Sequence, residues 1–180
     1  MRATLRLTAV AVLAMGFLTG CAATVALPAA NDAVNPSCAD VVTHLPDTVA
    51  DLPSRETNAQ GTGAWGDPAD VILRCGVAVP DPTSTLVCVT VKGIDWLRDP
   101  AKDPEFTFIT YGRDPAVAVT INGAKVNGQP ALSDLALAVG GIPATHKCIS
   151  PEDADNGTAP TDDPSAEPTA TPTPTATPAP

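Results

Sequence analysis

The sequence predicts an α+β fold: a small antiparallel sheet of four or five strands, a helix before and after it, and disulfide staples. Three observations carry this. Between residues 71 and 121, segments that alternate β-branched or aromatic residues with others are separated by turn residues. Short apolar stripes at helical spacing stand on either side of them. Cys38, Cys75, Cys88 and Cys148 give an even number of thiols, which in an exported domain reads as disulfides.

Residues 37–46 read as the first helix. Ser37 offers an N-cap, Val41, Val42 and Leu45 make the stripe, and Pro46 ends it. Residues 53–70 read as a polar loop containing Gly61, Gly63 and Gly66. Residues 71–79 and 86–91 are then strands joined across Asp81-Pro82, and Lys92-Gly93 turns the chain into a strand at 94–97. Residues 106–111 and 117–121 complete the sheet. Asp-Pro recurs at Asp67, Asp81, Asp99, Asp103 and Asp114, and each pair is expected to mark a turn, because the acid caps it and proline fixes φ. Residues 132–139 read as the second helix, starting near Ser133 or Asp134 and ending at Gly140-Gly141.

The ends of the chain are of a different kind. Arg2 and Arg6 precede a short apolar run that closes on Leu18-Thr19-Gly20-Cys21. That run falls short of the ~20 residues a transmembrane helix needs, and it has the layout of an export signal. Leu-Thr-Gly-Cys resembles a lipobox, so residues 1–20 are expected to be removed and the Cys21 thiol to carry a diacylglyceryl group. The mature chain is then anchored to the membrane through its N-terminal lipid, on the outer face of the cytoplasmic membrane. Residues 21–35 read as a flexible tether, 36–149 as one α+β domain, and 150–180 as a disordered acidic tail. Residues 151–180 hold eight prolines, seven threonines and six acids, with no lysine, arginine or aromatic, too little apolar surface to fold. Thr169, Thr171, Thr173, Thr175 and Thr177 are candidate O-glycosylation sites on such a stalk.

Charge narrows the partners. Loss of residues 1–20 removes Arg2 and Arg6 and no acid, taking the net charge from −10 to −12. Such a chain repels phosphate backbones, which excludes nucleic acid, and it is a poor fit to anionic membrane surfaces. A cell-envelope protein or a wall component remains as partner.

Catalytic patterns are scarce. Residues 61–66 spell Gly-x-Gly-x-x-Gly, but they follow a polar stretch and precede Asp67-Pro68, where a nucleotide fold would start a helix. No Gly-x-Ser-x-Gly elbow occurs. His44 and His146 are the two candidate bases, and neither has a nucleophile placed by sequence. The cysteines lack metal-ligand spacing, residues 152–157 miss a calcium ligand at Ala154, and no cofactor is expected. A more distinctive pair is Ala64-Trp65-Gly66-Asp67-Pro68 and Tyr111-Gly112-Arg113-Asp114-Pro115. Architecture accounts for both as an aromatic and a glycine before a turn; as a binding feature, Trp65, Tyr111 and Arg113 would share a ligand rim. Three functions follow: a non-enzymatic envelope protein for binding or assembly, a small-ligand module at that rim, or an unrecognised envelope hydrolase. The first is the expectation.

Four cysteines allow three pairings. The 71–79/86–91 hairpin would bring Cys75 near Cys88, while Cys38–Cys75 with Cys88–Cys148 competes. Cys38, residues 45–49, Ala64-Trp65-Gly66-Asp67-Pro68, Leu73-Arg74-Cys75-Gly76-Val77, residues 91–97 and Thr110-Tyr111-Gly112-Arg113 occur in order. Together they resemble an actinobacterial family of exported proteins known as domain of unknown function 3515, over about residues 36–140. The resemblance implies an envelope protein of high-GC Gram-positive bacteria. It brings no activity, cofactor or catalytic residue. Its cysteine pattern implies Cys38–Cys75, which leaves Cys88–Cys148.

Overall fold

The computed structural model describes residues 23–81 and 86–149. In chain order the elements are α1 (Pro36–Thr43), β1 (Thr48–Val49), β2 (Leu52–Arg55), β3 (Thr62–Trp65), β4 (Val71–Val77), β5 (Val87–Val91), β6 (Ile94–Lys102), β7 (Glu105–Thr110), β8 (Ala116–Asn122) and α2 (Gly128–Gly140). The strands form one antiparallel sheet in the order β1-β2-β3-β4-β8-β7-β6-β5. The expectation of four or five strands is therefore corrected to eight, with two short helices packed on one face. The added strands come from residues 48–65, most of which read as loop. β3 is buried at all four positions, Thr62-Gly63-Ala64-Trp65, so it has no polar face to reveal it by alternation.

The expected pairing of residues 71–79 with 86–91 does not form. β4 lies between β3 and β8, and β5 sits at the far edge beside β6. Cross-strand partners share a face of the sheet, so the register sorts the side chains. Val71, Leu73 and Cys75 lie opposite Ile121, Val119 and Val117. Phe106 and Phe108 continue those rows on β7, and Trp96 and Val89 lie on the same face further out. This face carries the core, closed by Val41 of α1 and Leu132, Leu135 and Val139 of α2.

Turn chemistry agrees with the pairing. Ala50-Asp51 and Lys92-Gly93 have positive φ at both positions, the geometry of a two-residue hairpin turn. The Ala50 amide donates to the Asp134 carboxylate at 2.8 Å, tying the β1–β2 turn to α2. Asp99-Pro100 lies inside β6, where the register shifts between Asp99 and Lys102, and not at a turn. A bulge is the place where a strand tolerates a proline.

Both helices start earlier than expected. Asn35 caps α1 by accepting from the Ser37 amide, with Pro36 in the first turn, and Asn127 caps α2 by accepting from the Gln129 amide. Pro130 fits within the first turn of α2, where no intrahelical N–H bond is lost.

Residues 23–35, expected as a flexible tether, lie against the domain. Val25 bridges Thr57, the Leu27 amide donates to Asn58, and the Asp32 amide donates to the Gly76 carbonyl. Gly76 has φ +84°, and a Cβ there would collide with the Asp32 backbone. The two disulfides are Cys38–Cys75 and Cys88–Cys148. Cys75 lies on the helix-bearing face, whereas Cys88 pairs with Leu97 on the opposite one, so each face of the sheet has its own staple.

Candidate functional site

The helix-bearing face is incompletely covered. At its N-terminal end α2 passes close over Phe108 and Ile121: a Cβ at Gly128 would sit 3.3 Å from the Phe108 ring and 3.8 Å from Ile121. At its other end it reaches Ile94, 3.9 Å from a Cβ at Gly140. The helix thus crosses the sheet diagonally and leaves the outer corner of β5, β6 and β7 open. A cleft of about 760 Å³ occupies that corner, within the size range of ligand sites. Val89, Val91, Phe106, Phe108, Ile121 and Leu132 give it an apolar lining.

One lining residue breaks the apolar pattern. Ile94, Trp96 and Arg98 alternate onto the core face of β6, which places a guanidinium where a hydrophobic side chain would be expected. Arg98 stacks over the Phe106 ring, 4.2 Å from its centroid. Its guanidinium makes no hydrogen bond or ion pair among the described residues. Lys125 stands at the rim, 3.2 Å from Asp70 and half exposed. This site is not among those the sequence suggested. The available signal was the arginine in phase with Trp96, but its meaning depends on where α2 lies.

The expected rim does not assemble. Trp65 is fully buried, and its Nε1 donates to the Pro46 carbonyl at 3.0 Å. It shares a row with Val71, Ile121 and Phe106. Tyr111 follows the opposite end of β7, about 17 Å along the strands and about 14 Å across three strand spacings. Tyr111 and Arg113 do line one small hollow, with Thr90, Asp95 and His146.

That hollow has an architectural role. Arg113 is buried and donates to the Ile142 carbonyl, while its Nε has no partner among the described residues. Burial pushes the guanidinium below its ordinary value, and the nearby Asp95 carboxylate opposes the shift. Asp95 accepts from Thr90 Oγ1 at 2.5 Å and from the Cys148 amide at 2.9 Å. The Gly112 carbonyl accepts from the Thr145 amide and hydroxyl. Together these bonds dock residues 142–148 onto the end of the sheet.

Gly112 has φ +69°, and a Cβ would collide with the His146 backbone. Gly112→Ala is therefore expected to cost at least about 1–2 kcal/mol from the left-handed conformation alone and to undock this segment. Hydrogen exchange checks it: the Thr145 amide should lose protection while β4 and β8 amides keep theirs.

His44 is exposed at the end of α1, with Nδ1 2.8 Å from the Asp40 carbonyl. His146 is exposed and 2.9 Å from Thr145 Oγ1. Residues 61–66 form β3 and the turn after it, and the space beside Gly63 is filled by the Trp65 ring and Leu45. Cys21, residues 1–20 and the tail from 150 lie outside the described residues, as does the calcium-like stretch at 152–157. Among the described residues no helix is long and apolar enough to cross a membrane.

A family model described as a protein of unknown function (DUF3515) matches residues 3–147, extending at both ends beyond the motifs read from the sequence. No curated protein and no solved structure matches.

Proposed function

The chain belongs to the DUF3515 family, whose function is unknown, and we propose that it is a lipid-anchored cell-envelope protein that acts by binding rather than by catalysis. In this reading Cys21 holds it on the outer face of the cytoplasmic membrane, and the cleft beneath the N-terminal end of α2 is its recognition site. The observation that carries the binding reading is the cleft itself: a concave apolar corner of about 760 Å³ on the core face of the sheet. An apolar concavity with a few placed polar groups is the usual form of a small-molecule site. The support for the envelope location is the lipobox-like sequence at Leu18-Thr19-Gly20-Cys21 and the two disulfides, which persist in oxidising compartments.

Two measurements test this. Mass spectrometry of the mature N-terminus is expected to show acylated Cys21, and Cys21→Ser to release the protein from the membrane fraction; an unmodified terminus elsewhere refutes the anchor. A fluorescent apolar probe is expected to bind the protein at one site and to lose that site in Gln129→Trp, an exposed position on the cleft wall. Equal binding to the variant would place the site elsewhere.

A further inference from the structure

The charge inside the cleft is opposite to that of the chain. The sequence holds 20 acids against 10 lysines and arginines. The charged residues lining the cleft are Arg98 and Lys125, and no acid lines it among the described residues. Lys125 is partly neutralised by Asp70, at 3.2 Å. Arg98 makes no hydrogen bond or ion pair among the described residues and stacks on the Phe106 ring. The N-terminal end of α2, at the cleft wall, adds to the positive character without defining it. Beyond these two cations, valine, phenylalanine, isoleucine and leucine side chains offer a surface for hydrocarbon, and Thr90, Asn127 and Gln129 are the neutral polar side chains of the lining.

We propose that the cleft binds a single-chain amphiphile with an anionic head, a long-chain carboxylate, whose head group meets Arg98 while its hydrocarbon chain lies along Val89, Val91 and Phe108. The proposal rests on the cleft being the recognition site and names what enters it. A carboxylate accepts two parallel bonds from a guanidinium, and burying a hydrocarbon chain against the floor supplies the non-directional part of the affinity. The chain's acidity does not oppose this. At physiological salt, charges further than about 8 Å are largely screened, so the head group responds to Arg98 rather than to the acidic remainder of the chain.

Displacement of the apolar probe from the full mature chain carrying Cys21→Ser, which alters the anchor alone, tests this. Hexadecanoate is expected to displace the probe, hexadecanol about tenfold more weakly, and acetate not at all, reflecting the strength of a hydrogen bond to a charged group. Arg98→Gln should weaken hexadecanoate about tenfold and leave hexadecanol unchanged. Arg98→Lys should recover part of the loss. Unchanged hexadecanol binding also certifies that Arg98→Gln is folded. If hexadecanol binds as well as hexadecanoate, or Arg98→Gln weakens both alike, the anionic head is refuted while the cleft stands. If neither amphiphile displaces a probe that does bind, the amphiphile is refuted. If the probe itself fails to bind, the recognition site falls and the proposal with it.

Discussion

Replacing Cys38 and Cys75 together with alanine is expected to destabilise the domain by about 4 kcal/mol, from the loop-closure entropy that a bond across this separation removes from the unfolded chain. The bond spans 37 residues and joins α1 to β4. Both cysteines are fully buried, so truncation also opens a void between the helix and the sheet. Against a typical total of roughly 5–15 kcal/mol this is a large fraction. Denaturant unfolding of the oxidised protein and the double variant checks it: the midpoint should fall and the slope should rise, because the chain without the crosslink exposes more surface on unfolding. A loss below about 1 kcal/mol would mean that the unfolded chain is already compact around this loop. The Cys88–Cys148 bond spans 60 residues, but its cysteines are only partly buried and it staples the final segment on the other face. Its removal should first release residues 142–148, seen as lost amide protection there before any global change.

Where a strand alternates or is rich in β-branched residues, the sequence announces it. β4, β5, β7 and β8 all fall within two residues of where alternation placed them. β3 was invisible for the opposite reason, since burial on both sides leaves no alternation and its glycine-containing Thr62-Gly63-Ala64-Trp65 has poor strand propensity. β2 contains Pro53 and reads as loop for the same kind of reason. Strand order was beyond a local reading. β4 and β5 are neighbours in sequence, yet β4 takes β8 as its partner, with pairs that run from Val77–Ala116 to Val71–Ile121, far beyond the reach of a hairpin. The disulfides show the same limit: hairpin geometry pointed to Cys75–Cys88, whereas the ordered motifs implied the bonds present. The cleft was least legible. Each of its walls is a consequence of strand order and of the angle at which α2 crosses the sheet, and Arg98 gains its meaning from both.

Trp65→Ala is expected to cost about 3–5 kcal/mol, the range for removing a fully buried large aromatic. The ring fills the space beside Gly63 and Leu45, and Nε1 holds the Pro46 carbonyl. Truncation removes this packing between β3 and the loop after α1, and it leaves that carbonyl without its donor. Trp65→Phe keeps most of the apolar surface and loses the bond, so it should cost less, about 1–3 kcal/mol. Comparing the two separates packing from hydrogen bonding, with denaturant midpoints as the readout. The conservative variant also decides between two roles for this tryptophan. As part of a ligand rim with Tyr111 and Arg113, it would carry binding, and Trp65→Phe would weaken a ligand without much loss of stability. As a core residue, about 17 Å along the sheet from Tyr111, it should leave binding of the apolar probe in the cleft unchanged. The geometry requires the second outcome: Trp65 faces the interior through β3, while the cleft opens toward the β5 edge, five strands further along the sheet.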